Sequence, residues 1–175
     1  MSNTTQEQDQ EYKKNARVNG EYDKIWQNTG KCVFCDLKNK YILIEENEIA
    51  LTVNLYPYID GQLMAVPKQH IRSPKELSSQ QWETIRKFTY LAKKIIKKVH
   101  GYKGMWTVIR EGGPEAQMSV TDHLHVQFIP FDKADLCEWH YRKLQYTPLE
   151  NTDLYKKEAK KIKKLFKKFE QKYQA

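Results

Sequence analysis

The sequence predicts an α+β fold in which a largely antiparallel sheet of about five strands carries one long helix, with a further amphipathic helix at the C-terminus. Short β-rich runs bounded by turn residues predict the strands, and two stretches of apolar residues at helical spacing predict the helices. The chain has 175 residues, enough for one domain of common size with a hydrophobic core.

Three strands are expected in the first half of this domain. The runs YILIEE and EIALTVN are rich in β-forming residues, and Glu46-Asn47-Glu48 between them predicts a hairpin. The segment YPYIDG supplies turn residues, and the apolar run QLMAVP after it predicts the third strand.

One long helix separates these strands from the last two. It is expected to open near Ser78 and to end at His100-Gly101, because glycine is a favoured helix terminator. Its apolar side chains recur three or four residues apart: Trp82, Ile85, Phe88, Ala92, Ile95, Ile96 and Val99. The runs MWTVIRE and HLHVQFIPF then predict two strands, joined by a loop that contains Gly-Gly-Pro.

Composition and charge divide the chain into three parts. Residues 1–24 have too few large apolar side chains to offset the entropy cost of ordering, so we expect a mobile, polar N-terminal segment. Residues 25–152 are expected to form the folded domain. Residues 153–175 hold nine Lys and three acidic residues, and so contribute +6 of the net charge of +8.

The C-terminal segment has the pattern of an amphipathic helix with an aromatic seam. Its apolar residues repeat at alternating intervals of four and three: Tyr155, Ala159, Ile162, Phe166, Phe169 and Tyr173. We expect this seam to pack on its own domain or across a homodimer, and binding of nucleic acid through the lysines is the alternative.

No part of the sequence predicts a membrane partner. No stretch approaches the roughly 20 consecutive apolar residues that span a bilayer, and the polar N-terminus has no hydrophobic signal-peptide core. We therefore expect a soluble, cytoplasmic protein.

A structural zinc site is predicted from the cysteines and histidines. Cys32 and Cys35 have two residues between them, which is the spacing of one corner of a tetrahedral zinc site. His70 follows the third strand and His123 opens the last one, so both could reach one edge of the sheet. The predicted ligand set is therefore Cys32, Cys35, His70 and His123, with free thiols or a redox pair of cysteines as the alternative.

The segment TDHLHVQFIP predicts a second chemistry. Side chains two apart on a strand share a face, so His123, His125 and Gln127 are expected to point one way while the apolar residues between them fill the core. If zinc holds His123, the imidazole of His125 is left for catalysis. The alternative is a solvated strand face that bears two ordinary histidines.

Together these motifs resemble the histidine triad superfamily of nucleotide hydrolases and nucleotidyl transferases. The resemblance runs from about Ile25 to Phe131 and is carried by CVFC, NLYPYIDGQLMAVPKQH and DHLHVQFIP in the family's order. The pattern His-x-His-x-Gln is similar to the branch that includes dinucleoside polyphosphate phosphorylases and hexose-1-phosphate uridylyltransferases. The resemblance implies that the predicted sheet has the family's antiparallel, HIT-like fold.

The resemblance also implies a role for each site residue. His125 would be the nucleophile that attacks the α-phosphorus of a nucleotide, and Gln127 would donate a hydrogen bond to a phosphoryl oxygen. Asn54 would hold the ribose hydroxyls, and Leu55 would lie against the base. Further phosphate contacts are expected from Arg110, Gln117 and Ser119, for which exposure to solvent without a ligand is the alternative.

The amide of Gln127 narrows the substrate. An amide cannot act as a general acid, so leaving groups that depart without a proton, such as a nucleotide, are favoured over phosphoramidates. The chain departs from the family at Gly61-Gln62, where relatives commonly have Gly-His and where we expect only a structural change. The other hypotheses are a phosphoramidate hydrolase, a catalytically silent nucleotide- or nucleic-acid-binding module of the same fold, and a redox protein.

Overall fold

The described residues form five strands and four α-helices, with two short 3-10 helices at Asn39–Tyr41 and Pro74–Glu76. The computed structural model describes residues 6–21, 24, 32–113, 116, 120, 122–133 and 143–173. The strands are β1 (Ile42–Glu46), β2 (Ile49–Val53), β3 (Leu63–Pro67), β4 (Gly104–Ile109) and β5 (Val126–Phe131). The helices are α1 (Gln6–Asn15), α2 (Ser79–His100), α3 (Pro148–Lys157) and α4 (Ala159–Tyr173).

All strands pair antiparallel, in the order β1-β2-β3-β5-β4. The predicted hairpin is confirmed: Asn47 and Glu48 connect β1 to β2 with φ angles of 49° and 60°. Turns with two positive φ angles match the right-handed twist of paired strands, and asparagine tolerates this conformation well. The predicted α+β class is therefore confirmed.

Helix α2 covers one face of this sheet. Ser78 accepts a hydrogen bond from the backbone N–H of Gln81 at 3.2 Å, and the side chain of Gln81 accepts one from the backbone of Ser78 at 2.9 Å. Gly101 ends the helix in the left-handed conformation with φ 79°. The hydrophobic core between helix and sheet contains Ile49, Leu51, Leu63, Ala65, Ile85, Phe88, Ala92, Ile96, Leu124, Val126 and Phe128.

The last strand begins later than expected, and this corrects the predicted strand at 123–131. β5 starts at Val126, so His123 and His125 lie in the segment just before it. There the backbone N–H of Leu124 donates to the carbonyl of Ile71 at 2.6 Å. The carbonyl of Pro67, at the end of β3, instead receives the side chain of His123. Leu124 still faces the core, so the predicted alternation continues ahead of the strand.

The chain divides into two compact units, residues 1–136 and 137–175. The mobility expected of residues 1–24 stays a prediction, and α1 lies within them. The C-terminal helix was expected as one element from Asp153, but α3 already begins at Pro148 and the helix is interrupted at Glu158. Thr147 caps α3 by accepting from the backbone N–H of Glu150 at 3.3 Å.

Helix α4 presents both lysines and apolar side chains to solvent. Ile162, Leu165, Phe166 and Phe169 are exposed. A homodimer or a nucleic-acid partner for this helix stays a prediction. None of the described helices combines the length and the apolar character that crossing a bilayer requires.

Candidate functional site

Four side chains gather at one end of the sheet in the arrangement of a metal site. The ligand atoms of Cys32, Cys35, His70 and His123 all lie within 4.8 Å of one another. Cys35 Sγ lies 3.1 Å from His70 Nδ1, and Cys32 Sγ lies 3.2 Å from His123 Nδ1. Tetrahedral zinc with bonds of about 2.0–2.3 Å needs ligand atoms roughly 3.3–3.8 Å apart, so the four groups fit a metal ion with small adjustments.

A backbone carbonyl prepares His123 for this task. Its Nε2 lies 2.8 Å from the carbonyl oxygen of Pro67, which can only accept, so Nε2 carries the proton. Nδ1 then presents its lone pair towards the cysteines. Metal-binding histidines characteristically donate their other ring N–H in this way, which fixes the tautomer.

Ionisation of the ligand groups also responds to this setting. Desolvation lowers the pKa of the buried His123 from its ordinary value of 6.5, which keeps the ring neutral. Desolvation and then the neighbouring Cys32 raise the pKa of the Cys35 thiol. A bound cation would lower the pKa of this thiol again, because thiolate is the form that binds metal.

The ring of Phe34 lies beside both histidines. It lies between the two cysteines in sequence and packs with Met64, Val66 and Val120 in a small hydrophobic cluster. Its centroid is 5.7 Å from that of His123 and 4.8 Å from that of His125. Both imidazoles therefore lie on the face of the sheet opposite α2.

His125 is held in the opposite tautomer to His123. Its Nδ1 lies 2.9 Å from the backbone carbonyl oxygen of His123, so Nδ1 carries the proton and Nε2 has the lone pair. Desolvation lowers the pKa of His125 from 6.5, and the positive charge of Arg110 lowers it further. The ring is thus neutral near pH 7, as a nucleophile requires.

Two buried glutamines form a chain of hydrogen bonds that ends at this lone pair. The amide nitrogen of Gln127 is 3.2 Å from Nε2 of His125. Its amide oxygen accepts from the amide nitrogen of Gln62 at 3.1 Å, and the oxygen of Gln62 accepts from the backbone N–H of Tyr58 at 2.8 Å. The predicted pair of His125 and Gln127 is therefore brought together, and Gln62 joins it.

Two of the predicted nucleotide-binding residues lie in the loop that adjoins this network. Asn54 and Leu55 follow β2 and are half-buried, and the backbone N–H of Asn54 donates to the carbonyl of Gln62 at 3.0 Å. The side-chain oxygen of Asn54 accepts from the backbone N–H of Tyr56 at 2.9 Å, which shapes the loop. Gln117 and Ser119 lie outside the described residues.

A pair of guanidinium groups flanks the ring of Tyr58 near the site. Arg110 donates to the Tyr58 hydroxyl at 3.2 Å, and its Cζ lies 5.8 Å from the ring centroid. Arg17, which follows α1, has its Cζ 4.0 Å from the same centroid, and its Nε donates to the carbonyl of Tyr56. Both arginines therefore add positive charge beside the 54–58 loop.

Comparison with known proteins places this geometry in a family. A family model described as scavenger mRNA decapping enzyme C-term binding matches residues 31–143, more than half of the chain. The chain belongs to this family. A relative named AP-4-A phosphorylase from Mycobacterium tuberculosis is 35% identical over 81 residues, an alignment that covers 45% of this chain and 40% of that protein. The match therefore spans less than half the length of that relative.

Two solved structures share the fold. A histidine triad nucleotide-binding protein from Candida albicans has a TM-score of 0.61 at 18% identity, covering 77% of this chain and 99% of that chain. A member of the HIT family from Bacillus subtilis has a TM-score of 0.60 at 20% identity, covering 74% of this chain and 96% of that chain. The predicted histidine triad fold is confirmed.

Sequence reasoning missed three residues that shape the site. Gln62 was expected to be only structural, Phe34 was treated as a spacer within Cys-x-x-Cys, and Arg17 was assigned to a mobile segment. For Gln62 a signal existed, because glutamine stands both here, where the resemblance led us to expect Gly-His, and at the end of the His-x-His-x-Gln pattern. The sequence contains no comparable signal for Arg17.

Proposed function

We propose that the protein is a nucleotide hydrolase or nucleotidyltransferase that acts at the α-phosphorus of a nucleotide, such as a dinucleoside polyphosphate, through a covalent nucleotidyl-His125 intermediate. The observation that carries this proposal is the buried, neutral imidazole whose Nδ1 proton is held by a backbone carbonyl and whose Nε2 lone pair faces an amide donor. Family membership and the relative named as a phosphorylase support the substrate class.

In the first half-reaction Nε2 of His125 attacks the α-phosphorus. A nitrogen–phosphorus bond forms, the α–β phosphoanhydride bond breaks, and its electron pair leaves with the remaining nucleotide. The leaving phosphate is stable as an anion, so no general acid is needed, and Gln127 is suited to this because it cannot supply a proton. The ring becomes positively charged, and its Nδ1–H stays hydrogen-bonded to the carbonyl of His123.

The second half-reaction returns the lone pair to His125. An acceptor oxygen attacks the same phosphorus, the nitrogen–phosphorus bond breaks, and its electrons return to Nε2. Water as acceptor releases a nucleoside monophosphate and a proton, whereas inorganic phosphate gives a nucleoside diphosphate. The amide N–H of Gln127, which lies next to Nε2, would donate its hydrogen bond to a phosphoryl oxygen and stabilise the charge that develops there.

The surrounding residues suit the rest of a nucleotide. We assign the ribose to Asn54 and the base to Leu55, since both lie at the end of β2 beside Gln62. Arg110 is assigned to the phosphate chain, because its charge already acts on His125. Guanidinium groups pair well with phosphate oxygens. Gln117 and Ser119 stay candidates for further phosphate contacts.

We assign a structural zinc ion to Cys32, Cys35, His70 and His123. All four coordination positions would be filled by the protein, so the ion would stabilise the fold and offer no position for a reacting water. It would fasten the segment that carries Phe34 to the segment that carries His123, and Phe34 contacts the ring of His125. The thiols are then ligands, not a redox pair.

A substrate panel tests the reaction. The full-length protein is incubated with dinucleoside polyphosphates, nucleotide sugars and a nucleoside phosphoramidate in ¹⁸O-labelled water, with and without inorganic phosphate. We expect cleavage of the α–β bond of a polyphosphate. A nucleoside diphosphate product without ¹⁸O identifies a phosphorylase, and ¹⁸O in a monophosphate identifies a hydrolase. Cleavage of the phosphoramidate alone, or of none of these compounds, would contradict the proposal.

A further inference from the structure

We propose that Gln62 is a positioning residue that orients the amide of Gln127 and thereby keeps the lone pair of His125 on Nε2. The inference rests on the proposed function, because it concerns the same nucleophile. It also replaces the expectation that the Gly61-Gln62 departure from the family is only structural.

The orientation of Gln62 follows from one unambiguous donor. The backbone N–H of Tyr58 can only donate, and it lies 2.8 Å from Oε1 of Gln62. Nε2 of Gln62 is thereby directed the other way, 3.1 Å from Oε1 of Gln127. An amide nitrogen can only donate, so the oxygen of Gln127 must point at Gln62 and its nitrogen at His125.

The opposite end of the same chain of hydrogen bonds gives the same answer. The carbonyl of His123 can only accept, so the proton of His125 is on Nδ1 at 2.9 Å and Nε2 must accept from Gln127 at 3.2 Å. Four hydrogen bonds thus run in one direction from the backbone of Tyr58 to the backbone of His123. Each amide has one orientation that satisfies both neighbours.

Burial makes this chain sensitive to a single donor. The exposed fraction is 2% for Gln62, 5% for Gln127 and 7% for His125, so little solvent is available to replace a lost partner. If Gln62 accepted instead of donated, the amide of Gln127 would rotate and place its oxygen against Nε2 of His125. The ring of His125 would then change tautomer and carry its proton on Nε2, so that Nε2 would no longer have a lone pair for nucleophilic attack.

The backbone around Gln62 holds it in place. Its carbonyl accepts from the backbone N–H of Asn54 at 3.0 Å. Gly61 before it has φ 82°, and a Cβ added there would lie 2.6 Å from Cδ2 of His100. The turn therefore needs glycine at position 61, and the side chain that follows enters the site from a fixed position.

The variant Gln62→Glu tests the direction of the chain. Its carboxyl group keeps the size of the amide and an acceptor for the N–H of Tyr58. When neutral it can still donate to Gln127, and when ionised it cannot. Burial raises the pKa of a carboxyl group, so the variant should lose turnover as the pH rises, by about 100-fold or more. The wild type should show no such decline.

Gln80→Glu is the matched control. It makes the same chemical change on an exposed side chain of α2, and its pH profile should follow the wild type. Gln62→Met has no donor at any pH, so its turnover should be reduced at every pH without the descending limb.

The tautomer is read directly by long-range ¹H–¹⁵N NMR of ¹⁵N-histidine-labelled, ligand-free protein. We expect the proton of His125 on Nδ1 in the wild type and in Gln80→Glu, and on Nε2 in Gln62→Glu above the pH midpoint of its activity. If Gln62→Glu unfolds at high pH, Gln62→Met carries the test and should show a mixture of tautomers. A single Nδ1–H tautomer with wild-type turnover in the folded variants would overturn the proposal.

Failure of this inference differs from failure of the proposed function. The NMR measurement needs no substrate, so a tautomer that responds to Gln62 in a protein that never transfers a nucleotide refutes the function and leaves the role of Gln62. Full-rate nucleotide transfer by Gln62→Glu at high pH refutes the role of Gln62 and leaves the function.

Discussion

His123 and His125 lie two residues apart and adopt opposite tautomers. His123 donates from Nε2 to the carbonyl of Pro67 and turns Nδ1 towards two cysteines. His125 donates from Nδ1 to the carbonyl of His123 and turns Nε2 towards an amide. Both rings are buried against Phe34, and both pKa values are lowered by desolvation. The backbone carbonyl that each ring meets therefore decides which ring nitrogen keeps the lone pair, Nδ1 in His123 and Nε2 in His125.

Substituting alanine for each histidine should separate the two roles with the largest effects. His125→Ala should abolish turnover, by about 10³-fold or more, because the nucleophile is gone, while metal content and melting temperature stay close to wild type. His123→Ala should lose metal and stability first. Steady-state assays, elemental analysis and thermal melts of both proteins measure this. Retained turnover in His125→Ala would end the proposed mechanism.

Cysteine substitution should affect stability before it affects chemistry. Cys32→Ser should remove a zinc equivalent and lower the free energy of unfolding by at least about 2 kcal/mol, because metal affinity contributes directly to folding. Cys137→Ser, the same change outside the predicted ligand set, is the control. Denaturant titration with metal analysis is the measurement, and unchanged zinc stoichiometry in Cys32→Ser would contradict the assignment.

The dependence of turnover on pH should follow the protonation of His125. Its pKa is lowered from 6.5, so the ring is neutral at pH 7 and turnover should be level there. As the pH falls through the lowered pKa the ring is protonated, and turnover should fall about tenfold per pH unit. An acid limb centred above 6.5 would be inconsistent with a desolvated nucleophile.

Removing the charge of Arg110 should have smaller effects, one on the pKa of His125 and one on KM. In Arg110→Met the repulsion on protonated His125 disappears, so its pKa and the acid limb should shift upward. KM for a polyphosphate substrate should rise roughly tenfold as the phosphate contact is lost. Arg86→Met, on the exposed side of α2, is the matched control. Identical profiles for the two variants would exclude Arg110 from the site.

Deleting the Lys-rich C-terminal segment should have no effect on the chemistry of the two histidines. If it binds nucleic acid, affinity should fall steeply with salt, with a logarithmic slope of about −0.9 for each phosphate neutralised. Deleting residues 153–175 should remove this binding without changing turnover. Salt titrations of full-length and shortened protein decide it, and salt-independent binding by either would contradict an electrostatic role.

Most of the fold was predictable because its signals are local. Ser78 with Gln81, and Gly101, mark the ends of α2 through hydrogen bonds and backbone angles that depend on neighbouring residues alone. The start of α3 was equally readable in Thr147-Pro148 and Glu150, but apolar periodicity alone placed it at Asp153. The start of β5 could not be predicted from the sequence, because it depends on the hydrogen bond from the side chain of His123 to the carbonyl of Pro67.

The candidate site was predictable to a similar extent. The four candidate metal ligands were predicted from the spacing of the cysteines and from histidines at element ends, and the structure brings their ligand atoms within 4.8 Å of one another. The contact between Gln62 and Gln127 was not predictable, because it needs the register that pairs Met64 with Gln127 across β3 and β5. Buried polar pairs of this kind depend on tertiary structure more than on sequence pattern.

Trapping the covalent intermediate tests the central claim most directly. The protein is mixed with a dinucleoside polyphosphate in the absence of inorganic phosphate, quenched within the first turnover and digested for mass spectrometry under alkaline conditions that preserve phosphoramidates. We predict one nucleoside monophosphate group, acid-labile and located on His125, with His123 unmodified. Turnover with no nucleotide on the protein, or with the group on another residue, would contradict the account.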